Sequence, residues 1–232
     1  MHNQALIIGA GAGLSASLTR LFTAKGLGVD LAARTPVNLE TLVAETGATS
    51  HQCDAADPAD IAALFDELDA AGRTPDVVVY NPSARVHGPI AEIDPTAVEA
   101  AVQITALGAF HTAQQAARRM IPKRQGAILL TGATAGVKGF THSAAFAMGK
   151  FALRGLAQSL TRELHPKGIH IGHFIIDGGI RNPARPERID AADNPDSMLS
   201  PDAIANEFWR HLEQDRSCWS WEVEIRPWVE RF

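Results

Sequence analysis

The feature that most constrains this chain is an alternation. Short apolar runs are separated by longer, Ala-rich segments of helical period. The runs are Ala5–Ile8, Val29–Ala33, Val77–Tyr80, Ile128–Thr131 and Ile169–Ile176, with weaker ones at Thr49–Cys53 and Trp221–Ile225. Most are continuous in apolar character rather than alternating, the pattern of strands covered on both faces. Thr35-Pro36, Asp57-Pro58, Asp94-Pro95 and Ser200-Pro201 each set an N-cap residue before Pro at a first helical position. Strand and helix in turn predict an α/β fold: a doubly wound parallel sheet of about seven strands, with helices on both faces and right-handed crossovers. No repeat or linker divides the chain, so residues 1–232 read as one domain. Asp177–Ser200, rich in Gly, Pro, Arg and Asp, is too long for an ordinary connection and is predicted to be a lid.

Charge narrows the partners. Lys and Arg number 21 against 26 Asp and Glu, a net charge of −5 that argues against nucleic acid or an anionic membrane as partner. Cys53 and Cys218 are too few for a disulfide framework or a four-cysteine metal site, and both read as packing residues. No stretch is apolar for long enough to span a bilayer. The first strand begins almost at Met1, which leaves no room for a leader, so the expected location is cytoplasmic.

Chemistry enters at the first strand–helix turn, Gly9-Ala10-Gly11-Ala12-Gly13-Leu14-Ser15. Glycines there let backbone approach a pyrophosphate, whose charge the following helix N-terminus stabilises. Leu14 stands where the G-x-G-x-x-G fingerprint has its last glycine, and a ligand-free tight turn uses the same residues. After the second strand come Ala33 and Arg34. An acid at this place would hydrogen-bond an adenosine ribose and repel a 2′-phosphate. Ala33 removes that repulsion and Arg34 offers a planar donor fork, a pair that favours NADP(H) over NAD(H).

Taken in order, these motifs resemble the short-chain dehydrogenase/reductase family over nearly the whole chain. The family's glycine turn is matched by Gly9, Gly13 and then Ser15 in place of its third glycine. Its adenine-contacting Asp is matched by Asp54, its Asn-Asn-Ala-Gly segment by Asn81-Pro82-Ser83 after Tyr80, and its Pro-Gly by Asp177-Gly178. The resemblance implies a Rossmann-like fold and a cofactor site built on Gly9, Gly11, Gly13, Leu14, Ser15, Arg34, Asp54, Asn81, Lys150 and Gly178.

It also implies a catalytic set, and here the chain departs from it. The family's Tyr-xxx-Lys falls on Phe146-Ala147-Met148-Gly149-Lys150, its serine on Ala133 and its asparagine on Thr105, ahead of Gly108. Of the four residues only Lys150 is kept. In the family a phenol protonates the alkoxide that hydride transfer leaves, while the serine hydroxyl polarises the oxygen. Phe146 and Ala133 can do neither, and loss of a general acid alone costs about 10²–10⁴ in rate. The only tyrosine in the chain is Tyr80, so no Tyr-xxx-Lys exists elsewhere. A tyrosine seven residues before the lysine, as in the enoyl-reductase-like branch, is absent too, since that place holds Ser143.

His142 is the candidate substitute acid, with an exposed loop histidine as the plainer alternative. Asp177 reads as a polar site group or, more simply, as a cap on its own loop. His170 and His173, three apart on a strand, project to opposite faces and form no metal pair. Two functions remain open: an NADP(H)-dependent oxidoreductase acting on an unknown small carbonyl or alcohol, and a catalytically inactive cofactor-binding protein serving as sensor or complex subunit. The resemblance further implies a homodimer or homotetramer built on the helices around 97–120 and 143–164.

Overall fold

Continuous apolar strands need cover on both faces, and in the computed structural model, which describes residues 2–182, 185–190 and 192–230, they have it. The strands are β1 (Gln4–Ile8), β2 (Gly28–Ala33), β3 (Thr49–Gln52), β4 (Val77–Tyr80), β5 (Gly126–Thr131), β6 (Ile169–Ile176) and β7 (Glu222–Ile225). All pair in parallel, in the order β3-β2-β1-β4-β5-β6-β7. The helices are α1 (Leu14–Ala24), α2 (Glu40–Thr46), α3 (Pro58–Ala70), α4 (Pro95–Val102), α5 (Gly108–Met120), α6 (Ala144–Leu164) and α7 (Pro201–Leu212).

One core joins the sheet to α1, α2 and α7 through Leu18, Phe22, Leu42 and Phe208. The other joins it to α3, α5 and α6 through Ile61, Phe65, Ala113 and Leu153. Every residue of β5 and β6 is buried, including His170 and His173, whereas the edge strands β3 and β7 are partly open. Strand order reverses between β1 and β4, so a crevice opens beyond their carboxyl ends, the usual ligand position in an open α/β sheet.

Caps follow the sequence with one exception. Asp57, Asp94 and Ser200 accept hydrogen bonds from Ala59, Thr96 and Ala203 amides. Thr35 makes no such bond, and Pro36 opens a short 3₁₀ turn, Pro36–Leu39, ahead of α2. The side chain at Thr35 therefore corrects the expected cap. Residues Gln103–Leu107 form a π turn between α4 and α5, which periodicity does not announce. Within 177–200, Ile180 bridges Leu199 and Pro186–Arg188 is a 3₁₀ turn; residues 183, 184 and 191 lie outside the described residues.

Candidate active site

The glycine turn is held from below. The amides of Gly9 and Ala10 donate to the Ala32 carbonyl at 2.9 and 3.0 Å. Gly9 has φ +79°, and a Cβ there would lie 2.7 Å from the Pro82 ring, so conformation and space both demand glycine. Asn81 Nδ2 donates to Ser15 Oγ (2.9 Å) and to the Gly9 carbonyl (3.3 Å), while Ser15 Oγ donates to the same carbonyl (3.1 Å). At Gly11 and Gly13 an added Cβ would meet nothing within 4 Å, so open space stands over the turn. Gly13 caps α1 without a side chain, and no acid occupies the first turn of that helix. The positive end of its dipole is uncompensated, which suits an anion.

Beside the turn lies a cavity of about 380 Å³ bordered by Ala33, Arg34, Asp54 and Ala55. Asp54 Oδ1 accepts from the Ala56 amide at 2.9 Å, and the Asp54 amide donates to Asp60 at 3.0 Å, fixing the carboxylate at the rim. Arg34 is exposed there, with no carboxylate partner among the described residues. Donors, cradle and space fit a dinucleotide phosphate and its adenosine.

A second cleft of about 360 Å³ continues past Gly13 and Leu14 to Ala133, Phe146, Lys150 and Gly178. Lys150 is 2% exposed, and its Nζ donates to the Thr131 carbonyl at 2.6 Å. Burial, with the Arg85 charge beside it, pushes this amine down to about 7. The Phe146 ring stands with its centroid 5.9 Å from Lys150 Nζ. Its other neighbour is Arg85, whose guanidinium lies 4.2 Å from the ring centroid. Ala133 lines the same cleft with a methyl group only.

Thr105 lies in the π turn, and its Oγ1 accepts from the Ala84 amide at 3.1 Å, pinning the loop that carries Asn81. Gly149 faces Thr105 so closely that a Cβ would come within 2.8 Å of the threonine Cβ. Tyr80 is buried away from the cleft, and its hydroxyl donates to the Ile104 carbonyl. His142 is exposed at φ +59°, edge-on to His87 at 5.6 Å, and lines neither cleft, although its neighbour Ser143 borders an outer chamber.

Two expectations need correction. The Asp177 side chain does not cap its own loop: it accepts the hydroxyl of Thr134 and faces Arg226 Nε at 3.6 Å, tying β6 to the turn after β5. Cys218 is exposed, while Cys53 is buried and its thiol is pushed up to about 12 by burial and nearby carboxylates. His170 and His173 do face opposite sides of β6, the first stacked on His211 and the second bonded to Glu222 at 3.0 Å. Arg85 is the site residue that sequence reasoning missed. Its only signal was position, two residues beyond the Asn81–Ser83 segment.

The sequence profile described as short chain dehydrogenase matches residues 3–188. This chain belongs to that family. A short-chain dehydrogenase from Rhodopseudomonas palustris shares 33% identity and superposes with a TM-score of 0.83, over 97% of this chain and 99% of that one. The cyclic-di-GMP-binding biofilm dispersal mediator protein of Escherichia coli (strain K12) is 31% identical over 183 residues, 78% of this chain and 74% of its own length. A metagenomic short-chain oxidoreductase in complex with NADP matches at 24% identity and a TM-score of 0.83, over 99% of both chains, a likeness of fold. Among the described residues of this short-chain dehydrogenase, no helix is long and apolar enough to cross a membrane.

Proposed function

We propose that this short-chain dehydrogenase binds NADP(H) in preference to NAD(H) and works as an oxidoreductase on a small carbonyl or alcohol, without the family's phenol–serine proton relay. The observation that carries the reading is the continuity of the glycine cradle with the buried Lys150, whose Nζ is fixed on the Thr131 carbonyl beneath Phe146. When bound, the nicotinamide dinucleotide supplies the hydride. Gly9, Gly13 and the α1 N-terminus hold its phosphates, Arg34 pairs with the 2′-phosphate and Asp54 meets the adenine. Lys150 holds a proton at Nζ, out of water, and Phe146 covers it without passing that proton on. Ala133 leaves the substrate oxygen unpolarised on its side. Turnover is therefore slow, and the acid is water or the substrate itself, because His142 lines neither cleft.

The missing hydroxyls favour one other reading: a cofactor-binding protein with no turnover, a sensor or complex subunit. The E. coli relative is itself named for binding a nucleotide. In either case residues 1–232 act as one cytoplasmic domain, with 177–200 as a lid over the cleft. Leu107, Phe110, Met148 and Phe151, exposed on and beside α5 and α6, supply the surface of a homodimer or homotetramer. NADPH titration by calorimetry, run beside NADPH oxidation against a broad carbonyl panel, tests the reading. Tight binding with slow oxidation supports the oxidoreductase, binding with none supports the sensor, and no binding overturns both.

A further inference from the structure

Beyond Phe146 the central cleft opens into an outer chamber of about 470 Å³. Its walls are mostly apolar: Val86, Ala133, Ala135, Phe140, Phe146 and Ile176. Hydroxyl donors there are engaged, since Thr134 donates to Asp177 and Ser143 to the Thr141 carbonyl at 3.5 Å. Arg85 is the only Lys or Arg among its lining residues, and no Asp or Glu lines it. The guanidinium carbon lies 4.2 Å from the Phe146 ring centroid, and Arg85 borders both this chamber and the central cleft. No carboxylate pairs with it among the described residues, and its charged neighbours are Lys150 and Arg188, both cations.

A planar, unpaired fork at the end of an apolar chamber is suited to one ligand chemistry, a single carboxylate on an apolar body. We propose that Arg85 binds the carboxylate of an aromatic or branched aliphatic acid whose apolar body fills the outer chamber. A phosphate would call for more donors than Arg85 and His87 offer in this chamber, since Arg181, Arg185 and Arg188 line the central cleft and not the chamber. Arg181 is already paired with Asp190. The inference narrows the substrate class of the proposed oxidoreductase. It rests on that reading only for the nature of the reaction, not for the carboxylate site.

Calorimetry with benzoate and its neutral isostere benzamide tests this, on the whole chain with and without saturating NADPH. Benzoate is expected to bind about tenfold or more tightly than benzamide, as a charged bidentate contact implies. NADPH should not displace it, and Arg85→Leu should erase the difference while Arg85→Lys keeps part of it. Circular dichroism confirms that each variant is folded; if Arg85→Leu is not, Arg85→Gln replaces it. Equal binding of the two probes, no saturable benzoate binding, displacement by NADPH, or loss of preference in Arg188→Gln but not in the Arg85 variants would each overturn the proposal. Failure of NADPH itself to bind would sink the cofactor reading and leave the benzoate result standing.

Discussion

On the β1–β4 side of the cleft, Gly9, Ser15 and Asn81 bond to one another, and each has a partner that depends on its chemistry. On the β5–β6 side, Lys150 keeps its bond to the Thr131 carbonyl, yet Phe146 and Ala133 bring no hydroxyl to the space they border. The difference teaches that the shape of the second side does not depend on the missing oxygens. It is set by close contacts such as Gly149 on Thr105 and Gly136 on the Lys150 carbonyl, where a Cβ would come within 2.8 and 3.0 Å.

The largest expected effect comes from restoring that chemistry. The double change Phe146→Tyr with Ala133→Ser should raise NADPH-dependent carbonyl reduction by about 10²–10⁴ over wild type, the range for a general acid. Steady-state assays on a carbonyl panel check it. If the mutant binds NADPH and stays as slow as wild type, the two sides differ in shape as well as chemistry. Rapid wild-type turnover that His142→Ala abolishes would break the comparison from the other direction.

On the cofactor side the fragile element is backbone. Gly9→Val should lose dinucleotide binding and about 2–4 kcal/mol of stability, from positive φ together with the clash on Pro82. Chemical denaturation measures it, and an unchanged midpoint would mean the turn is not the rigid part of the cleft.

Lys150 gives a smaller effect with a definite sign. Burial lowers its folded pKa to about 7 from the ordinary lysine value, so the unfolded chain holds the proton more readily. This stability term is unfavourable at and below pH 7 and fades as pH rises towards the unfolded pKa. Lys150→Met should therefore gain stability relative to wild type at pH 7, by roughly 1–2 kcal/mol after the Thr131 carbonyl loses its donor. The gain should shrink by pH 10. A gain independent of pH would show that the amine is not the source.

The last effect concerns preference rather than binding. Arg34→Ala should lose about 1–3 kcal/mol of the selectivity for NADPH over NADH, typical of hydrogen bonds to a charged group. Equal affinity of the wild-type protein for both cofactors would remove the premise.

Much of the fold was legible because its determinants are local. Apolar runs located five strands and weaker runs the two edge strands, and Asp57, Asp94 and Ser200 marked helix starts where side chain and amide are two or three residues apart. What was not legible depends on distant partners. The π turn at Gln103–Leu107 is fixed by Tyr80, whose hydroxyl takes the Ile104 carbonyl, and by Gly108 backed against the Ala55 carbonyl. Arg85 reads as one more polar loop residue until α6 brings Phe146 under it. Asp177 looked local and turned out to bond across two strands to Thr134. Motif spacing located the glycine turn, Asn81 and Lys150, but spacing carries no information about which groups a fold leaves without a partner.

The placement of Tyr80 has a spectroscopic consequence. It is the chain's only tyrosine, fully buried, hydrogen-bonded to a carbonyl, and its phenol is pushed well above the ordinary value by burial. In native wild-type protein, then, no phenolate absorbance should develop across neutral and mildly alkaline pH. A tyrosine introduced at position 146 would titrate against a silent background, and its ionisation could be followed by ultraviolet difference absorbance without labels or substrate. The midpoint of that curve would report directly how strongly the Lys150 and Arg85 charges act on an oxygen at the centre of the cleft.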